Sequence, residues 1–241
     1  MDTARVDDVS ASTPARTPVL VIAWRAVIAG LAWWGLLASL HGDIGQLRYF
    51  SQVTTLTVAL TATASVLGFA ATSAAWHRAL VWCRGASTTY AVVTAVIYQT
   101  LLSGNLEATS SLLEHAVVPA LAVIDWVVFG PGLLRQRWWT PLSWLILPIC
   151  YLGVYYHVRN SSGGPLYPFL DPDASSFWRW VAIMIGVFLV AGFVVWAVGL
   201  MRSARSRSVV SLPAGSAAGD SAAAEPAAAG PIDPRPAQDA R

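Results

Sequence analysis

Lysine is absent from this 241-residue chain, so all fifteen Lys+Arg residues are arginine. Charge of either sign is scarce, 12 % of residues against 56 % hydrophobic, a balance too apolar for a water-soluble domain. Only two cysteines occur, Cys83 and Cys150, without metal-ligand spacing, which excludes a cysteine zinc site and predicts free thiols. The first residues, MDTARVDDVS, carry Asp2, Asp7 and Asp8 and no compact basic region, so a cleaved signal is not expected. No internal repeat is visible, which argues against an inverted-repeat transporter.

What the chain does have is six apolar stretches, near Val19–Leu40, Ser51–Ser73, Gly85–Ser103, Ser111–Gly130, Thr140–Val158 and Phe177–Met201. Each is about 20 residues, long enough for a hydrocarbon core of ~30 Å. They predict an all-α polytopic membrane protein, a bundle of six transmembrane helices spanning residues 18–203. A polar N-terminal segment, 1–17, precedes it. Residues 204–241 form an Ala/Pro/Gly/Ser-rich tail, too poor in bulky apolar residues to offset its ordering entropy.

The arginines alternate between loops. Arg5 and Arg16 precede the first span, Arg78 and Arg84 lie between the second and third, Arg135 and Arg137 between the fourth and fifth, and Arg202, Arg205 and Arg207 follow the sixth. The other side holds Arg48 and Arg159, with Arg179 just inside the sixth span. This positive-inside bias predicts that both termini are cytoplasmic. It also accounts for the arginines without nucleic acid, which is not an expected partner. Six tryptophans, Trp76, Trp82, Trp138, Trp139, Trp178 and Trp180, fall near span ends, where indole suits the headgroup level. The third span is the least apolar, and Thr94, Gln99 and Thr100 predict that it faces the bundle interior. Arginine without lysine, together with abundant alanine, points to a GC-rich bacterial genome and hence a bacterial plasma membrane. Pro119 and Pro148 lie inside spans, where each removes a helix hydrogen bond and marks either a plain kink or a kink beside a cavity.

Topology gathers polar residues at one end of the bundle. His41 and Arg48, Ser51 at the head of the second span, Asn105, Glu107, Glu114 and His115 around the start of the fourth, His157, and the Tyr167-Pro168-Phe169-Leu170 loop all fall there. Ser51 reads in two ways: a helix cap, for which serine is preferred, or a nucleophile whose proton goes to His115. A helix start also offers unpaired N–H groups to an oxyanion. His115 likewise reads as an interfacial polar residue or as a base. Nearer the other end, Arg25 in the first span and Asp125 in the fourth lie at similar depth, and opposite charges there invite a structural ion pair, with a proton or ion relay as the alternative. A haem site is disfavoured, because the histidines sit at span ends rather than facing one another at one depth.

Arg48-Tyr49-Phe50-Ser51, His115 followed by Pro119 and then Asp125-Trp126, and Tyr167-Pro168-Phe169-Leu170 occur in a recognisable order. Together they resemble the androgen-induced-gene family of six-helix membrane proteins, in its bacterial branch, over roughly residues 19–200. Animal members of that family hydrolyse fatty-acid esters of hydroxy fatty acids with a threonine nucleophile and a histidine. The resemblance places the nucleophile at Ser51, a serine in place of threonine, and the base at His115. The histidine-to-proline spacing is shorter by one residue than in the animal proteins. The implied activity is lipid-ester hydrolysis near the outer surface, without metal or organic cofactor, on a fatty-acyl ester drawn from the membrane lipids. Arg48, His157 and Tyr167 are the expected substrate-binding residues. The competing readings are a non-enzymatic lipid-binding or accessory protein and, behind it, a small-solute transporter.

Overall fold

The computed structural model describes residues 19–130, 136–162 and 164–210. Within them lie six helices long and apolar enough to cross a membrane: Val19–Leu40, Phe50–Leu67, Ala74–Leu101, Thr109–Phe129, Thr140–Val158 and Phe177–Ser203. No strand occurs among the described residues, so the architecture is all-α and compatible with a multi-pass integral membrane protein. The N-terminal segment 1–17 and residues 211–241 of the tail lie outside the described residues. The sixth helix itself continues to Val210, past the residue at which the tail was expected to begin.

Residue size explains the packing. The first span buries Val21, Ile28, Ala29, Ala32, Gly35 and Leu36, a stripe with helical spacing. It meets Val58, Ala59 and Ala62 of the second span, Ala91 of the third, and Val118 and Ala122 of the fourth. In lipid, apolar side chains gain little by leaving their surroundings, so close approach of small residues and interhelical hydrogen bonds carry association. Those bonds are in place. Trp33 Nε1 donates to Thr63 Oγ1 (3.1 Å), Tyr90 Oη to the Trp144 carbonyl (2.6 Å) and Trp126 Nε1 to the Val195 carbonyl (2.7 Å). Trp82, expected in an interfacial belt, lies inside the third helix and donates to Ser143 Oγ at 2.8 Å.

The third span departs most from expectation. It begins at Ala74 rather than Gly85, capped by Ser73, whose hydroxyl accepts from the Trp76 N–H. Arg84 and Cys83 are therefore helical residues and not loop residues, and Arg84 is buried. Both cysteines are free thiols, Cys83 half-buried and Cys150 exposed. Over half of the third span's most apolar stretch is buried (56 %), against 17 % for the fifth, so the third is the central helix and the fifth is peripheral. Its polar residues follow from this: Ser87, Thr88, Thr89 and Thr94 face protein. Gln99 and Thr100 do not. Both are exposed in the last turn, where a helix end leaves room for polar side chains. Gly85 permits the closest contact of the third span, since an added Cβ would overlap the Trp144 ring.

Candidate functional site

The second span starts at Phe50, one residue before Ser51, and its cap position is Tyr49, which makes no side-chain cap bond. The capping role is taken from elsewhere. Tyr167, over a hundred residues away, offers its phenol oxygen to the Phe50 N–H at 2.9 Å. Burial pushes the Tyr167 phenol pKa above its ordinary value, so it stays neutral and keeps this role. Ser51 is thereby released from capping. Among the described residues neither its hydroxyl nor its N–H has a hydrogen-bond partner.

Across from Ser51, the fourth span is not a regular α-helix. Leu113–Val117 is a π-turn, closed by the Val118 N–H on the Leu113 carbonyl. Pro119 explains it: proline donates no hydrogen bond, and its ring crowds the carbonyl four residues back, which belongs to His115. Widening the helix there relieves the crowding. Gly35 of the first span is what lets the widened turn fit, since an added Cβ would lie 3.0 Å from Leu113 Cβ. The π-turn turns Leu113, Glu114 and His115 all into the protein. The proline was the sequence signal for this irregularity; which residues it would redirect was not legible.

Ser51 and His115 line one cavity of about 330 Å³. Thr94 and Tyr98 of the third span, Tyr151 and Tyr155 of the fifth, Tyr167, and an apolar set including Ile97, Leu145, Met184 and Phe188 complete its walls. No hydrogen bond joins Ser51 to His115. The His115 ring is fixed by stacking on Tyr98, with centroids 3.6 Å apart and planes 4° from parallel. Tyr98 is fixed in turn, its hydroxyl donating to the Asn105 carbonyl and lying 2.8 Å from Ser111 Oγ. His115 Nδ1 is buried without a hydrogen-bond partner among the described residues, whereas Nε2 is not enclosed in this way. Among the described residues no carboxylate is hydrogen-bonded to Nδ1. The neighbouring Glu114 turns away and accepts from Gln52 Nε2 at 2.9 Å. Sequence reading missed Tyr98 and Gln52, because a stacked ring and a buried amide carry no local signature.

The expected substrate-binding residues divide. Tyr167 lines the cavity. His157 does not: it is exposed, two residues past the buried Tyr155 and therefore on the opposite side of the fifth helix. Arg48 is half-buried in the turn Ile44–Arg48, outside the cavity wall, with its guanidinium 5.2 Å from the centre of the Tyr49 ring. Its carbonyl accepts from Tyr151 Oη at 2.6 Å, so its backbone fixes one cavity wall.

At the other end, Arg25 Nε donates to Asp125 Oδ1 at 3.3 Å. The stronger partner is Arg84, whose Nη2 and Nε meet Asp125 Oδ2 at 2.6 and 2.9 Å. The pair is therefore a triad. The sequence places Arg84 in a loop because the apolar run of the third span starts only at Gly85. Among the described residues no group of three or more His, Cys, Asp or Glu side chains is placed to hold a metal. Comparison with protein families, curated proteins and solved structures finds no match to this chain.

Proposed function

We propose that this protein is a membrane-embedded lipid-ester hydrolase, with Ser51 as nucleophile and His115 as base. The observation that carries the reading is the shared cavity: a serine freed from capping and an imidazole held by stacking open onto one mostly apolar slot. At about 330 Å³ its volume is roughly twice the ~150 Å³ that encloses a benzene ring, room for about a dozen chain carbons. The ordered resemblance to the androgen-induced-gene family supports the same two residues.

In this mechanism His115 Nε2 accepts the Ser51 proton as Oγ attacks the ester carbonyl. The unpaired Ser51 N–H is the available donor for the developing oxyanion. The C–O bond to the alcohol breaks, and the alcohol leaves with the proton from His115. Water, deprotonated by the same nitrogen, then attacks the acyl-serine and releases the fatty acid. A base without a carboxylate behind it is less well oriented than a triad histidine, and Tyr98 supplies the orientation instead.

The test is a fluorophosphonate probe and long-chain ester turnover on purified protein. Wild type should be labelled and active, and Ser51→Ala and His115→Ala each unlabelled and inactive while still folded. Full turnover in Ser51→Ala would dismiss the assignment. Tight binding of fatty-acyl esters with neither labelling nor turnover would make the cavity a lipid-binding site instead.

A further inference from the structure

Asp125 is shared by two guanidinium groups, so the triad carries one positive charge more than it can neutralise. Its side chains are nearly excluded from solvent, with 14 % exposure for Arg25, 8 % for Arg84 and 10 % for Asp125. No second carboxylate is near among the described residues. Glu114, on the same helix, is eleven residues away, about 16 Å along the axis. Asp43, Glu107, Asp171 and Asp173 belong to the loops at the Ser51 end.

The donors are unequally used. Arg84 gives Nε and Nη2 to Asp125 and Nη1 to the Gly130 carbonyl at 3.3 Å. Arg25 gives only Nε, and neither of its Nη groups has an acceptor among the described residues. Both arginines and Asp125 line a cavity of about 20 Å³, together with Thr61 and Ser65 of the second span and Thr88 of the third. We infer that this junction binds one monatomic monovalent anion of chloride size, held by the free edge of Arg25 and by the Thr61 hydroxyl.

Charge, donors and size each bear on that choice. A buried unpaired cation is among the costliest groups to leave in an apolar interior, and an anion there neutralises it. Thr61 supplies a hydroxyl with no other partner among the described residues, whereas Ser65 and Thr88 already donate to the Thr61 and Ala122 carbonyls at 2.7 and 3.5 Å. One water-sized sphere needs ~10–15 Å³, so the 20 Å³ available admits a single small ion. Phosphate, free or on a lipid headgroup, does not fit. The site is independent of the hydrolase reading, since it lies at the other end of the fourth helix.

The experiment is thermal unfolding of the full chain in micelles at constant sodium and ionic strength, with chloride, bromide, gluconate or phosphate as the anion. Chloride and bromide should raise Tm, by about 3–6 °C for each tenfold increase above the binding midpoint, and gluconate and phosphate should not. Arg25→Gln leaves a neutral Arg84–Asp125 pair and should have one Tm in all four. Equal wild-type Tm in chloride and gluconate overturns the proposal, as does a phosphate effect equal to that of chloride or a halide effect that survives Arg25→Gln. Should that variant not fold, chloride-35 line broadening on wild type decides. Broadening reversed by bromide supports the site, and its absence rejects it.

Discussion

Asp125→Asn should be the most damaging single change at the arginine end. The substitution keeps the shape but removes the charge that both guanidinium groups face, at 2.6 Å from Arg84 and 3.3 Å from Arg25. Breaking a buried pair and leaving the partner uncompensated costs ~3–5 kcal/mol, and here two cations are left together, so the upper part of that range applies. Arg84→Gln removes the two short bonds to Oδ2 but leaves Arg25 to balance Asp125, about 3 kcal/mol. Arg25→Gln loses one bond of 3.3 Å and leaves a neutral, doubly hydrogen-bonded pair, about 1 kcal/mol or less. Equilibrium unfolding in mixed micelles, with gluconate as the anion, gives the three values directly. A double-mutant cycle should then return a coupling of about 2–3 kcal/mol for Arg84 with Asp125 and under about 1 kcal/mol for Arg25 with Asp125. Additivity of Arg84 and Asp125, or an Arg25→Gln cost equal to that of Asp125→Asn, would refute the reasoning.

Three further outcomes are expected. Tyr167→Phe keeps the ring against Tyr155 and Phe169 but leaves the Phe50 N–H without its acceptor. It should cost about 1–3 kcal/mol in the same unfolding assay, and an unchanged midpoint would mean that water replaces the phenol. Tyr98→Ala removes the stack on His115 while leaving both proposed reacting groups; ester turnover should fall at least tenfold in kcat with fluorophosphonate labelling of Ser51 retained but slowed, and unaltered kcat would show that the ring is held by other contacts. Reporter fusions after residues 70, 106, 136 and 165 should read inside, outside, inside, outside, and an outside signal at 70 or 136 would invert the arginine-based orientation.

Hydropathy was enough to place six helices, because a membrane span must satisfy its backbone internally and so needs a long uninterrupted apolar run. The opposite charges of Arg25 and Asp125 were legible for a similar reason: charge inside such a run is rare and needs a partner. Arg84 escaped because the same logic places an arginine at the edge of an apolar run in a loop, and only the capping of the third helix at Ser73 carries it into the bundle. Gln99 and His157 erred the other way, since a sequence gives the end of a span but not which side of the helix a residue faces. That Ser51 and His115 share one end of the bundle was legible from the sequence, but what frees the one and fixes the other was not. The Tyr167 phenol on Phe50, the π-turn before Pro119 and the Tyr98 ring on His115 join residues that are distant in the chain or redirect a helix face. Local composition determines which segments enter the membrane; side-chain direction at the site is decided only when the helices pack.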